Sequence, residues 1–253
     1  MSSSVGYSPY HYTYLNPIKY NDPTGQNGEL TINKKDRTAT ISMDFYVHGD
    51  AIPRNFDAAA FAQGIQDAYN EANGTMTVDG VEYSVTFSIS ASIVTDKQAT
   101  EKLAQSDVLE ANGNMSYARI NTIDISQGNT AEITSDRSMT ISPKDLGTTT
   151  PTHEGGHLLG LVHDGGLQRS SVVDPPSIMS TIYNSVSGQY SVDGRGTAWT
   201  RDDNGVMRAV QGQLDNSTRR VLPRNISAMG HRNNIKMRGN RGVVGYRYRT
   251  LGQ

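Results

Sequence analysis

The sequence predicts an α/β chain of the α+β kind, built around one metal-binding helix, and three observations carry that prediction. Ala39, Ile41, Met43 and Phe45 alternate with Thr40, Ser42 and Asp44, and a longer alternation runs from Val81 to Ile93. Period-2 alternation is the mark of a half-buried strand. Phe56, Ala60, Phe61, Ile65, Ala68 and Tyr69 fall on one helical stripe. His153 and His157 stand four residues apart, on one face of a third helix.

Residues 1–28 do not read as the start of a globular fold. Five of the thirteen tyrosines (Tyr7, Tyr10, Tyr12, Tyr14 and Tyr20) crowd into this stretch. Pro17-Ile18-Lys19-Tyr20-Asn21-Asp22-Pro23-Thr24-Gly25 has the form PxxxxDPxG and follows Tyr12-Thr13-Tyr14-Leu15-Asn16. This stretch resembles the C-terminal end of an RHS-repeat core. In that family the motif closes a β-cocoon shell, and a variable C-terminal toxin follows. Some members use the motif's aspartate, here Asp22, for self-cleavage. Gln26 departs from the leucine often found after the motif.

The predicted elements then run in order. Thr38–Val47 is a strand, and a helix spans about Asp57 to Ala72, stopped by Asn73-Gly74. Asp79-Gly80 is a two-residue hairpin signal that folds Thr75–Val78 onto Val81–Ile93. Asp96–Leu109 reads as a short polar helix. Ser116–Ser126 and Ser138–Ser142 read as two further strands, the second ended by Pro143.

The densest stretch is Thr152-His153-Glu154-Gly155-Gly156-His157-Leu158-Leu159-Gly160-Leu161-Val162-His163-Asp164, with three of the six histidines. His153 and His157 sit side by side on the helix. Gly160 supplies the positive φ that ends the helix, and His163 swings back as a third ligand. Three neutral imidazoles suit zinc, at about 2.0–2.1 Å each, with a fourth position for water. Glu154 lies beside that metal as a proton acceptor, and the implied reaction is hydrolysis of an amide bond.

HExxHxxGxxH, with Ser177-Ile178-Met179-Ser180 downstream, resembles the metzincin zinc metallopeptidases and their Met-turn. Asp164 after the third histidine places the resemblance nearest the adamalysin/reprolysin pattern. The resemblance implies a twisted mixed sheet with a backing helix and a zinc helix, and a smaller C-terminal subdomain after the Met-turn. It implies Zn2+ held by His153, His157 and His163, Glu154 as general base, and Met179 as the structural methionine. It also implies an open edge strand along which a polypeptide substrate lies, and Gly128–Met139 is the expected edge. Asp164 and Tyr183 are secondary candidates. Asp164 can ligate in place of His163 or orient its loop. Tyr183 stands four residues past Met179, where some metzincins place a tyrosine two past, and that spacing points to packing.

Past Met179, Thr200-Arg201-Asp202-Asp203 reads as a cap for a helix through about Leu214. Trp199, the only tryptophan, is expected to be buried just before it. From Ser217 onward nine Arg and Lys residues, from Arg219 to Arg249, meet no acidic residue. This reads as a basic C-terminal tail. The expected division is 1–28 RHS-core-like remnant, 29–216 metzincin-like peptidase domain, and 217–253 tail.

Composition sets the remaining bounds. The 253 residues suffice for one full domain and appendages, the net charge is −2, and cysteine is absent. No apolar run reaches the roughly 18–20 residues of a membrane span, and the polar N-terminus does not read as a signal peptide. The expected function is a zinc-dependent endopeptidase acting on protein substrates, the toxin or effector portion of an RHS-type protein. Such a chain is secreted or delivered from the producing cell as part of a larger polypeptide. Its expected partners are a polypeptide substrate and an immunity protein, without membrane or nucleic acid. The alternative is a non-proteolytic zinc-containing binding module acting through its basic tail.

Overall fold

The structure is a computed structural model that describes residues 27–128, 131–135, 137–164, 175–181, 184–210, 212–231 and 233–245. Expectations for residues 1–26, including Asp22, fall outside these.

Strand β2 (Thr38–His48) organises the chain. Its odd-numbered residues from Ala39 to Val47 are buried, and its even-numbered residues are not. One edge pairs in parallel with β4 (Val81–Ile93) over nearly its whole length, from Thr38↔Ser84 to Val47↔Ile93. The other edge is shared. β1 (Gly28–Asn33) pairs antiparallel with the first half of β2, and β5 (Ile120–Ile125) pairs in parallel with the second half, from Asp44↔Ile120 to His48↔Asp124. Beyond β5 lie β7 (Ser138–Ile141), parallel to it, and then β6 (Glu132–Ser135), antiparallel and at the edge. That edge falls inside the expected segment. β3 (Thr75–Val78) folds back on β4 through Asp79 and Gly80, both at positive φ as a tight hairpin requires.

Helix α1 (Ala58–Glu71) starts where Asp57 caps the Ala60 amide, and lays Ala62, Ile65 and Tyr69 on the odd-numbered face of β2. Helix α2 (Asp96–Ala111) carries a complete capping box from Thr95 and Gln98. It buries only Ala99 and Ser106, and it covers the opposite face. There Lys102 sits 4.9 Å from the Tyr46 ring centre, and Arg119 grips both oxygens of Asp44 at 2.9 and 3.0 Å. The sheet is thus sandwiched between an apolar layer and a polar one, a mixed α+β architecture.

Five expectations change. The strand expected from Ser116 begins at Ile120, because Met115–Arg119 forms a 3-10 turn that buries Tyr117 and Ala118. The helix expected over 200–214 is a hairpin of β8 (Trp199–Arg201) and β9 (Met207–Ala209). Asp202 there accepts from the Asn204 and Val206 amides, closing a turn with Gly205 at positive φ instead of capping a helix. Trp199 is half-buried in β8 rather than buried before a cap. Most consequentially, the expected tail is part of the fold through residue 245. It forms α4 (Pro223–Met229), β10 (Ile235–Arg238) and β11 (Arg241–Val244), and β11 pairs with β1 to extend the sheet to nine strands. Arg241 neutralises the buried Glu29 across that pairing. The same pairing moves the N-terminal boundary. Asn27 is fully buried, and a Cβ at Gly28 would meet Leu159 at 2.8 Å and Ile41 at 2.9 Å.

Candidate metal centre

The histidine stretch forms α3 (Thr150–Leu158), with Pro151 in its first turn, where a missing amide hydrogen is harmless. It is almost wholly buried, and only Thr150 and His157 are partly exposed. Two glycines let it lie this deep. A Cβ on Gly156 would come within 2.6 Å of the Met179 sulfur, so Met179 packs directly beneath the helix backbone. Gly160, at φ +79°, ends α3 with Gly160 N–H donating to His157 O and Leu161 N–H to Gly156 O, a Schellman pair. A side chain there would overlap Asn234, whose amide donates to the carbonyls of Leu159 and Met229. Asn27 donates to Leu158 O at 3.0 Å, and the Tyr69 hydroxyl donates to Thr152 O at 2.9 Å. Burial pushes the Tyr69 phenol far above its ordinary range, so it stays a donor.

His153, His157 and His163 come together. Their burial is graded: His153 is buried, His157 half-buried, and His163 at the surface with its ring stacked on His153. Nε2 of His163 lies 3.2 Å from Nε2 of His153 and 3.1 Å from Nε2 of His157. The opposite nitrogens face carbonyls: His153 Nδ1 lies 2.6 Å from Ile178 O, and His157 Nδ1 lies 2.9 Å from Leu161 O. An Nδ1 facing a carbonyl carries the hydrogen, so both Nε2 atoms present lone pairs. A single hydrogen on His163 Nε2 could satisfy only one of these two lone pairs, whereas a cation among the three nitrogens satisfies them all. Nitrogens around a tetrahedral metal at about 2.0–2.1 Å are themselves about 3.3 Å apart. The donor set therefore fits one metal ion. Burial, then the charges of neighbouring groups, holds His153 well below its usual pKa; His163, exposed as a residue but with its ring shielded against His153 and His157, is lowered by that loss of water and then by the charge of Arg219, so both stay in the neutral form that ligates.

Glu154 is 7% exposed and makes no hydrogen bond or ion pair with a described residue. Burial pushes its carboxyl up to about 7, the Arg219 charge opposes this, and Glu132 on the edge strand adds to it. The turn beneath the site is tied to the C-terminal segment. Met179 is fully buried, Ser177 bonds Asn225, and Ile178 N–H donates to Arg220 O.

Asp164 does not join the histidines. Its amide donates to Met179 O, and its carboxylate meets Arg224 at 3.4 Å, so it fastens the loop to the turn. Tyr183 lies outside the described residues.

The residue that sequence reading misplaced is Arg219, expected on a solvated tail and found 6% exposed. Its guanidinium bonds the Thr149 hydroxyl, Asn216 O and Ser180 O and lies 3.2 Å from His153 Nδ1. That last contact cannot be a hydrogen bond while Nδ1 donates to Ile178. Burial pulls Arg219 down to about 10, and Glu154 offsets part of the loss. No local pattern marks it; it sits among arginines whose side chains are exposed or half-buried.

No protein-family model matches the chain, and neither does a curated protein or a solved structure.

Proposed function

We propose that the chain is a zinc endopeptidase of the metzincin type. The observation that carries this reading is the convergence of three imidazole Nε2 atoms whose ring partners are held by carbonyls or packing, with a buried carboxylate, unpaired among the described residues, one residue from the first. His153, His157 and His163 would hold the ion, which when bound supplies Lewis acidity and lowers the pKa of water to about 7. Glu154 takes the proton from the attacking water and returns it to the leaving amine, a transfer that its buried carboxyl next to the first ligand is placed to make. The methionine under the helix, the parallel strand order β4-β2-β5-β7 and the antiparallel edge β6 support the family reading. β6 ends the sheet among the described residues and would offer its edge to an extended peptide. The N-terminal PxxxxDPxG supports delivery as the toxin portion of an RHS-type protein, blocked at home by an immunity protein. The alternative, a binding module acting through a free basic tail, loses support because residues 217–245 pair and pack within the domain.

The test is metal content and casein hydrolysis of purified protein. About one zinc per chain is expected, lost on His153→Ala or His157→Ala. Glu154→Gln should keep the metal and lose hydrolysis by several orders of magnitude. Full metal in both histidine variants would overturn the ligand assignment, and an active Glu154→Gln chain would overturn the role of Glu154.

A further inference from the structure

The face of the sheet turned away from the histidines carries a cleft of its own. It lies between the N-terminal half of α2 and the end of β2, the middle and end of β5 and the β6–β7 pair, with a volume of about 270 Å³. That is room for about nine waters, just under the pockets of drug-sized ligands, and it fits a metabolite-sized guest.

Topology puts it at a special place. From β2 the chain passes through α1 to β4, on one side of β2; from β5 it continues to β6 and β7, on the other side. The neighbours β2 and β5 therefore send the chain in opposite directions, and a crevice opens between their carboxyl ends. Open α/β sheets bind ligands at this switch point.

Register then decides which side chains meet there. His48 pairs with Asp124, and Asp124 with Thr140, so the three form one row across adjacent strands. Thr100 of α2, Thr122 of β5 and Thr134 of β6 also line the cleft. His48 Nδ1 is held by Asp96 at 2.9 Å, which leaves Nε2 towards other partners. Asp124 makes no ion pair and accepts no hydrogen bond among the described residues, and neither do the hydroxyls of Thr134 and Thr140. A half-buried carboxylate without a partner is costly unless water or a ligand satisfies it. Among the described residues that line the cleft, Asp124 is the one carboxylate and none is Lys or Arg.

We propose that this cleft is a second binding site, for a small guest that carries one ammonium and several hydroxyls, as an amino sugar does. Asp124 takes the ammonium, and His48, Thr134 and Thr140 take hydroxyls. The site is separate from the histidine centre and does not depend on the peptidase reading.

The probes are glucosamine and glucose, titrated onto the zinc-loaded full chain by saturation-transfer NMR. Glucosamine should bind at least about tenfold more tightly, the worth of a partly exposed charge-assisted hydrogen bond. Asp124→Asn should erase that difference, with glucosamine falling to the affinity of glucose. Thr140→Val should weaken both sugars alike, and Glu154→Gln should change neither. Equal affinity for the two sugars in the unaltered chain, no saturation by glucosamine, or an Asp124→Asn chain that keeps the preference would each overturn the proposal. The comparison in the unaltered chain decides the matter even if a variant fails to fold.

Discussion

On one face of β2, Ala39, Ile41, Met43, Phe45 and Val47 pack into a continuous core with α1, Leu158, Leu159 and Met179. On the other, Asp44, Tyr46 and His48 meet Arg119 and α2 through ion pairs, a cation over a ring and hydrogen bonds. The first face is close-packed and dry, so it fixes the backbone of α3 to within the tolerance a metal site needs. The second is wet and adjustable, which suits a cleft with unfilled hydrogen-bonding groups. One strand therefore backs two different environments because its side chains alternate.

The contrast can be broken most forcefully at two adjacent residues. Phe45→Ala should destabilise the chain by about 3–5 kcal/mol, as large-to-small core changes do. Tyr46→Ala, one residue on and half-buried, should lose about 1 kcal/mol with its Lys102 contact. Urea denaturation measures both, and similar losses would erase the distinction between the faces.

Next in size is the charge buried with α3. The Glu154 carboxyl rises from an ordinary 4.5 to about 7 in the metal-free fold, so the fold holds a proton there that the unfolded chain has released. Glu154 thus has no effect on stability below about pH 4.5. It becomes a growing penalty as pH rises towards 7, with a ceiling on the order of 3 kcal/mol. Glu154→Gln removes that penalty. The metal-free variant should gain more in melting temperature at pH 8 than at pH 5, and an equal gain at both would mean that Glu154 is not buried as a charge.

The smallest effects sharpen the same comparison. Tyr69→Phe deletes one buried hydrogen bond to Thr152 O and should destabilise by about 1 kcal/mol while weakening metal binding, because it loosens α3. Arg119→Met, on the polar face, should cost at most about 1 kcal/mol and leave metal affinity unchanged. Calorimetric metal titration separates the two, and an equal change in affinity would show that the faces are coupled.

Much of this was legible in the sequence. The alternation of β2 and β4, the α1 stripe, the Asp79-Gly80 hairpin and the convergence of His153, His157 and His163 all follow from the backbone geometry of their own segments. The 200–214 segment shows where such reading fails. An acidic residue after Thr200 suits a helix cap and a tight turn equally, and Val206, Val210 and Leu214, spaced four apart as on a helix face, favour the helix, yet Val206 and Val210 are exposed.

What the sequence determined by itself is what neighbouring residues do to one another: spacing four on a helix, alternation on a strand, positive φ at Gly160. What only the tertiary structure decided is how α3 is held. Asn27 reaches Leu158 across 131 positions, Asn234 reaches Leu159 across 75, and Arg219 meets His153 across 66. Each is a single polar residue in a segment with no periodic pattern. Its partner is a backbone carbonyl or a buried ring, which any sequence supplies in abundance. Such pairs become specific only when the β1–β11 pairing and the turn at Met179 bring the chain ends beneath the helix and exclude the water that would otherwise satisfy them.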